Sequence, residues 1–406
     1  MNELFGVLRS PRAILFGNGQ RHAIGQVAGS IGKRALVCTD ARFGGSVDMA
    51  SLIQSLNDAG VEAKVFADTL PELPLSSVEA CVQQNRSFKP DVVVGVGGGS
   101  CMDMAKLVGL LLTHDGPADR FYGELKVPGP IIPVVAIPTT AGTGSEVTPI
   151  AVLADLARDL KVGISSPFLI PHTAICDPEL TLTCPPALTA LSGADALTHA
   201  IEAFTAVTHT RVSDLALTRV FVGKNMFSDH HALSAIKLIV EHLPRAVQNG
   251  ADLEARSMLM FASMSAGLAF GVAGTAAAHA IQYPVGALTQ TAHGIGVAAL
   301  IPYVMAFNAS ACMPQIAEIG RCLGATGTER ELVVTAIRRI RTLLSDIRIP
   351  LTLSDLGLSE EKIDWVAEQS MLSTRLVNNN PRPLDAASMK RIVEDAFHGR
   401  LHPIPV

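Results

Sequence analysis

A chain of 406 residues is longer than one small core can organise, so two domains are expected. Apolar residues make up 48% of it and charged residues 17%, which excludes a disordered chain and points to a large buried interior. A net charge of −5 with no basic tract gives no electrostatic footprint for nucleic acid or an anionic membrane. The seven cysteines form no C-x-x-C pair and sit among apolar neighbours, as reduced, buried thiols do. The opening MNELFGVLRSPRAILFG lacks the charged start and apolar core of a secretory signal. The longest apolar runs, such as Leu107–Leu112, are too short to span a bilayer. A soluble, cytoplasmic protein is expected.

From Pro11 to Pro138, short apolar runs alternate with helical patterns. Ala13–Phe16, Ala35–Thr39, Glu62–Phe66, Asp91–Val96 and Ile131–Ile137 read as strands, continuous in apolar character as strands buried on both faces are. Gln20–Ser30, Ser46–Ala59, Ser76–Phe88 and Cys101–Thr113 read as helices between them. The alternation predicts a doubly wound α/β domain with a parallel sheet. Asp40, at the end of the second strand, can accept hydrogen bonds from a ribose diol and repel a 2′-phosphate; equally, it can cap a turn.

The fourth strand runs into Gly97-Gly98-Gly99, and a helix is expected to open at Ser100. Such glycines let the backbone approach a pyrophosphate, and free N–H groups at the helix start attract its charge. The run departs from G-x-G-x-x-G, because Ser100 takes the third glycine's place, so a tight turn without ligand stays open. Asp103 and Lys106 lie one turn apart on that helix, the spacing of an ordinary intrahelical ion pair. After the fifth strand comes a second loop, Pro138-Thr139-Thr140-Ala-Gly142-Thr143-Gly144-Ser145-Glu146, dense in hydroxyls and glycines. Two such loops on one sheet point to a dinucleotide.

Beyond Pro185-Pro186 nearly every segment reads as helix: Ala190–Ala206, Asp229–Val247, Asp252–Phe270, Pro314–Leu323, Glu329–Asp346 and Ala386–Phe397. Residues 1–185 and 186–406 are therefore expected to form an α/β domain and an all-α domain. Asp195 and His199 are four apart, on one face of an apolar helix, where they form either a surface ion pair or a ligand pair. His279 and His293 stand in a run of Ala, Gly and Thr, as satisfied core groups or as ligands. Together they make three imidazoles and a carboxylate, a set suited to Fe²⁺ or Zn²⁺.

Several stretches match a known pattern in the right order: Gly97–Lys106, Pro138–Val152, Cys176 through Glu202, His279 through Gly294, and Asn379-Asn-Pro381-Arg-Pro. In these the chain resembles the iron-containing (group III) metal-dependent alcohol dehydrogenases, whose fold is like that of dehydroquinate synthase. The resemblance implies that Asp195, His199, His279 and His293 bind one metal, commonly Fe²⁺ and in some members Zn²⁺. It implies that Gly97, Gly98, Gly99, Ser100, Asp103, Thr139, Thr140, Thr143, Ser145 and Lys161 contact or frame a nicotinamide cofactor. Asp40 matches the position that selects NAD over NADP. The expected reaction interconverts a small-molecule alcohol with its aldehyde or ketone by hydride transfer, in a homodimer or larger homo-oligomer.

Two features depart from the better-known members. Tyr283 stands where many carry a histidine, four residues after His279, and can meet substrate or a relaying water, or pack in the core. Tyr283-Pro284 and an insertion at about residues 209–227 resemble the hydroxyacid-oxoacid transhydrogenase branch, which retains its nicotinamide. His209, His230 and His231, in or beside the insertion, read as surface residues. A non-catalytic NAD- or metal-binding protein is the alternative of another class.

Overall fold

The computed structural model describes residues 4–158 and 160–404 and divides into two compact units. One comprises Arg9–Cys184 with Asp214–Val220; the other holds the described residues before Arg9, Pro185–Ser213 and the chain from Phe221 onward. Compared with a single cut at residue 185, the chain's start and a seven-residue excursion change sides.

In the α/β unit, β1 (Ala13–Phe16), β2 (Arg34–Cys38), β3 (Glu62–Phe66), β4 (Val92–Gly97), β6 (Val134–Pro138) and β9 (Thr173–Cys176) form one sheet in the order β1-β9-β6-β4-β2-β3. Every pairing in it is parallel. Side chains alternate across it. Leu36 and Val93 join a core with Val78 of α4 (Leu75–Asn85) and Leu107 of α5 (Gly99–Thr113). Val37, Val92 and Val94 join another with Ile24 of α1 (Ile24–Ile31) and Leu52 of α3 (Val47–Asp58). Helices thus cover both faces, as a doubly wound sheet requires.

Burial on both faces holds for the inner strands β4, β6 and β9. It does not hold at the edges: Glu62 and Lys64 of β3 and Ala13 and Phe16 of β1 are exposed, because an edge strand has one neighbour. Four strands escaped the sequence reading. β7 (Ile150–Asp155) and β8 (Leu160–Ser165) form an antiparallel hairpin, joined by β5 (Gly123–Glu124) into a small second sheet. The half-buried alternation along β7 is that of a strand with one covered face. β9 is only four residues long, too short to show a period. α2 (Ala41–Gly44) is a single turn capped by Asp40.

The helical unit is organised around α6 (Pro186–Thr205), which starts four residues earlier than expected because Pro186 suits a first helical position. It packs against α8 (Met226–Gln248), α9 (Leu253–Ala273) and α11 (His293–Cys322). α7 (Leu215–Thr218) lies in the excursion that groups with the α/β unit. α10 (Ala277–Thr289) packs on α11, and α12 (Glu329–Asp346), α13 (Ile363–Met371), α14 (Thr374–Asn379) and α15 (Ala386–His398) complete the unit. The reading of Pro314–Leu323 caught only the end of α11, which kinks at Cys312 just before Pro314. By length and composition α9 and α11 could cross a bilayer, which the short apolar runs did not suggest; 83% of each apolar window is buried inside the protein. All seven cysteines are free thiols.

Candidate active site

In the α/β unit the glycine turn forms where β4 meets α5. Gly97 has φ +148°, and a Cβ there would lie 2.5 Å from Cys101 Sγ. The helix opens at Gly99, one residue before Ser100, with Gly98 as its N-cap and no side chain capping it. Its first N–H groups are left for an incoming acceptor. β4 pairs with β6 so that Gly97 faces Pro138, which brings the second loop alongside the first. Thr139 N donates to Gly97 O at 2.9 Å. A Cβ on Gly99 would come within 2.8 Å of Thr143 Cγ2, and one on Gly98 within 3.6 Å of Thr140 Oγ1. Gly97, Gly98, Gly99, Ser100, Thr139, Thr140 and Thr143 are therefore neighbours.

Asp40 unites the two readings made of it. Its Oδ1 accepts from Phe43 N at 2.9 Å and caps α2, while Oδ2 lies 4.0 Å from Cys101 Sγ, beside the glycine turn. Asp103 and Ser145 are engaged mainly with each other. Ser145 Oγ donates to Asp103 Oδ1 at 2.5 Å, and Val152 N donates to Asp103 Oδ2 at 2.9 Å. Lys106, fully buried, sits 3.7 Å from Asp103 and donates to Ser145 Oγ at 2.9 Å, to Thr148 O at 3.1 Å and to Ile150 O at 2.7 Å. The expected ion pair is thus the hub of a network that pins the second loop to α5. Loss of water pushes the Lys106 ammonium down to about 8 and the neighbouring buried Glu146 carboxyl up to about 7; Asp103 is raised by the same cause. Lys161 stands apart from this network, on β8 opposite Ala154, with its ammonium paired to Glu72.

In the helical unit, α6 presents Asp195 and His199 on one face, α10 presents His279, and α11 begins at His293. The start of α11 approaches α6 closely: a Cβ on Gly294 would lie 2.4 Å from the Leu191 carbonyl oxygen. Three imidazole Nε2 atoms then surround Asp195 Oδ1, His199 at 3.7 Å, His293 at 3.9 Å and His279 at 4.0 Å. The His199 ring stacks between Phe270 and His279, with centroids 4.1 and 4.8 Å away. Tyr283, one turn beyond His279, lies with its ring 6.2 Å from that of His293. His230 and His231 lie on α8 beside each other, and His209 lies near the bridge between Thr208 and Gly223 that closes the insertion.

These separations exceed hydrogen-bonding distance, yet all four groups converge on one point. The Nε2 of His279 is buried without a hydrogen-bond partner. Ligands about 2.1 Å from a tetrahedral metal stand roughly 3.4 Å apart, and the separations of 3.7 to 4.0 Å from Asp195 Oδ1 to the three imidazoles are a few tenths of an ångström wider. A divalent cation fits both the donor set and the space. Asp195, His199 and His279 alone already bring three donor atoms within 4.8 Å of one another.

The sequence reading passed over Glu202, one turn past His199 on the same face of α6. It is 1% exposed, and its Oε2 lies 2.6 Å from His279 Nδ1. A third ionisable position on the face of Asp195 and His199, in an apolar helix, was the available signal. Asn379, noted only as part of a motif, donates to the carbonyls of Ala273 and Thr275 at 3.0 and 3.1 Å and so fixes the turn before α10.

Comparison with known proteins decides the family. The family described as iron-containing alcohol dehydrogenase matches residues 11–178, and the C-terminal part of the Fe-containing alcohol dehydrogenase family matches residues 189–397. The chain belongs to the iron-containing alcohol dehydrogenase family. It is 36% identical over 378 residues to long-chain-alcohol dehydrogenase 1 of Geobacillus thermodenitrificans (strain NG80-2), covering 91% of each chain. It is 34% identical over 394 residues to the NAD-dependent methanol dehydrogenase of Bacillus methanolicus, covering 95% of this chain and 98% of that one. The crystal structure of a 1,3-propanediol oxidoreductase superposes with a TM-score of 0.90 at 32% identity, over 97% of this chain and all of the other. This member of the family is an oxidoreductase with the fold of its relatives.

Proposed function

We propose that this family member is a metal-dependent, NAD-linked dehydrogenase that interconverts a small alcohol with its aldehyde or ketone. The observation that carries the reading is the convergence of three imidazole nitrogens on Asp195 Oδ1. Asp195, His199, His279 and His293 would hold the metal, Fe²⁺ or Zn²⁺. A metal so held supplies Lewis acidity toward an alcohol or carbonyl oxygen, and a bound nicotinamide supplies the hydride acceptor or donor. Asp195 contributes the one formal negative charge of the ligand set, and the three neutral imidazoles preserve the net positive charge that such acidity needs.

In the α/β unit, the N–H groups at the start of α5 and the glycine turn would receive the pyrophosphate. Thr139, Thr140 and Thr143 would line the same place, while Lys106, Asp103 and Ser145 hold the loop that carries them. Asp40 Oδ2, which accepts only a long bond from Cys101 Sγ beside the turn, would accept a ribose diol and repel a 2′-phosphate, which favours NAD over NADP. Lys161, paired with Glu72, has the least support as a cofactor contact. Tyr283 would face substrate beside His293.

The motif at Tyr283-Pro284 and the insertion favour a second reading, a transhydrogenase that passes hydride from a hydroxy acid to an oxo acid on a retained nicotinamide. One assay separates the two. Anaerobically metal-loaded protein is offered alcohols, diols and hydroxy acids with NAD⁺ or NADP⁺, and the reduced nicotinamide band at 340 nm is followed. The dehydrogenase produces free NADH in steady state, loses this with a chelator and regains it with metal. Hydride exchange between acid pairs without free NADH establishes the transhydrogenase, and no transfer with any substrate sinks both.

A further inference from the structure

We propose that Glu202 is a positioning residue that sets the metal affinity of the cluster by fixing which nitrogen of His279 carries the proton; this rests on the four-ligand reading above. Glu202 lies in the interior of the helical unit with two backbone N–H groups and one imidazole nitrogen directed at its two oxygens. Ala276 N reaches Oε2 at 2.9 Å, Ala278 N reaches Oε1 at 2.7 Å, and His279 Nδ1 lies 2.6 Å from Oε2. A backbone N–H can only donate, so the first two bonds define the Glu202 side chain as an acceptor. An acceptor at hydrogen-bonding distance from His279 Nδ1 places the imidazole proton on Nδ1.

The consequence falls on the other side of the ring. With its proton on Nδ1, His279 turns the bare lone pair of Nε2 toward Asp195 Oδ1, 4.0 Å away. Two acceptors facing each other in a buried place repel, and a cation between them turns the repulsion into two bonds. Glu202 therefore prepares the ring before metal arrives. The same carboxylate holds the ring's backbone, because Ala276 is the N-cap of α10 and offers no capping side chain of its own. Glu202, from α6, takes the place of that cap. One side chain thus ties the helix that carries His279 to the helix that carries Asp195 and His199.

The test uses the full chain in three forms: wild type, Glu202→Met and Glu202→Gln. Methionine fills similar space but is at best a weak hydrogen-bond acceptor, whereas the glutamine oxygen can still accept from Ala276 and His279. Metal-free protein labelled with ¹⁵N-histidine reports the His279 tautomer, and competition against a chromophoric chelator gives the affinity for Zn²⁺. We expect the Nδ1–H tautomer in wild type, its loss in Glu202→Met with roughly 10–100-fold weaker Zn²⁺ binding, and recovery of most of the affinity in Glu202→Gln. If Glu202 only stabilises the fold, both variants melt earlier while tautomer and affinity stay put, and the proposal is overturned. An Nε2–H tautomer in metal-free wild type overturns it as well, and needs no variant to fold. Wild type that takes up no metal instead defeats the four-ligand reading itself, and the two failures are distinct.

Discussion

The glycine turn of the α/β unit presents bare backbone, whereas the cluster in the helical unit presents side chains held by other side chains. Gly97 serves through its positive φ and through the absence of a Cβ where Cys101 Sγ comes close. The threonine loop beside it is held from below by Lys106, which bonds to the carbonyl oxygens of Thr148 and Ile150. Asp195, His199, His279 and His293, by contrast, offer their own donor atoms, and the backbone only delivers them. The difference teaches where each half should break. The turn should fail through conformation and loop anchoring, the cluster through loss of a single atom.

The largest effect is expected at the cluster. Replacing His279 by Ala should lower kcat/KM at least about 10³-fold, roughly 4 kcal/mol, while NAD⁺ binding measured by calorimetry stays within a few-fold. An equal collapse of nucleotide binding would erase the contrast between the regions. Next comes Lys106→Met, which leaves Asp103 and Glu146 buried without their counter-charge. Denaturation should show a loss of about 3–5 kcal/mol and a raised KM for NAD⁺, with metal content unchanged.

A third effect separates the regions by pH. The Glu146 carboxyl titrates at about 7 in the folded protein against 4.5 when free, so the folded state binds more protons between these values. Its contribution is full below about pH 4.5 and is lost as pH rises through 7. Lys106, lowered from 10.5 to about 8, acts oppositely, and stability should recover between about pH 8 and 10.5. Glu146→Gln should flatten the falling limb, by up to about 3 kcal/mol, in urea titrations across pH; an unaltered limb would count against it. The smallest effect belongs to Asp40→Gly. It should cost a few tenths of a kcal/mol as a helix cap and open the enzyme to NADP⁺, read as the ratio of kcat/KM for the two cofactors.

What the sequence disclosed follows the same contrast. The predicted bounds of β1 and β3 agree with the structure to the residue; in β1 a short run of Ala, Ile and Leu between turn signals carries its own evidence, while β3 mixes Ala, Val and Phe with two charged residues. Their exposure was not legible, since edge position depends on strand order. The β7–β8 hairpin hid behind the threonine loop and a charged turn, and its alternation is half-buried rather than sharply amphipathic. Asp195 and His199 could be related by spacing alone, as they share a helix. His279 and His293 could not, because their approach depends on how α10 packs on α11 and α11 on α6. Lys106 showed only its intrahelical partner; its stronger bonds cross to residues some 40 positions later. Glu202 shares the face of Asp195 and His199, but its role exists only once the start of α10 meets it.

The central claim is that Asp195, His199, His279 and His293 form one metal site. Its most direct test is anaerobic metal analysis of wild type and the four single alanine variants after loading with Fe²⁺ or Zn²⁺. One metal per wild-type chain and loss of stoichiometric metal in every variant are expected. Full retention of metal and turnover in His279→Ala would contradict it.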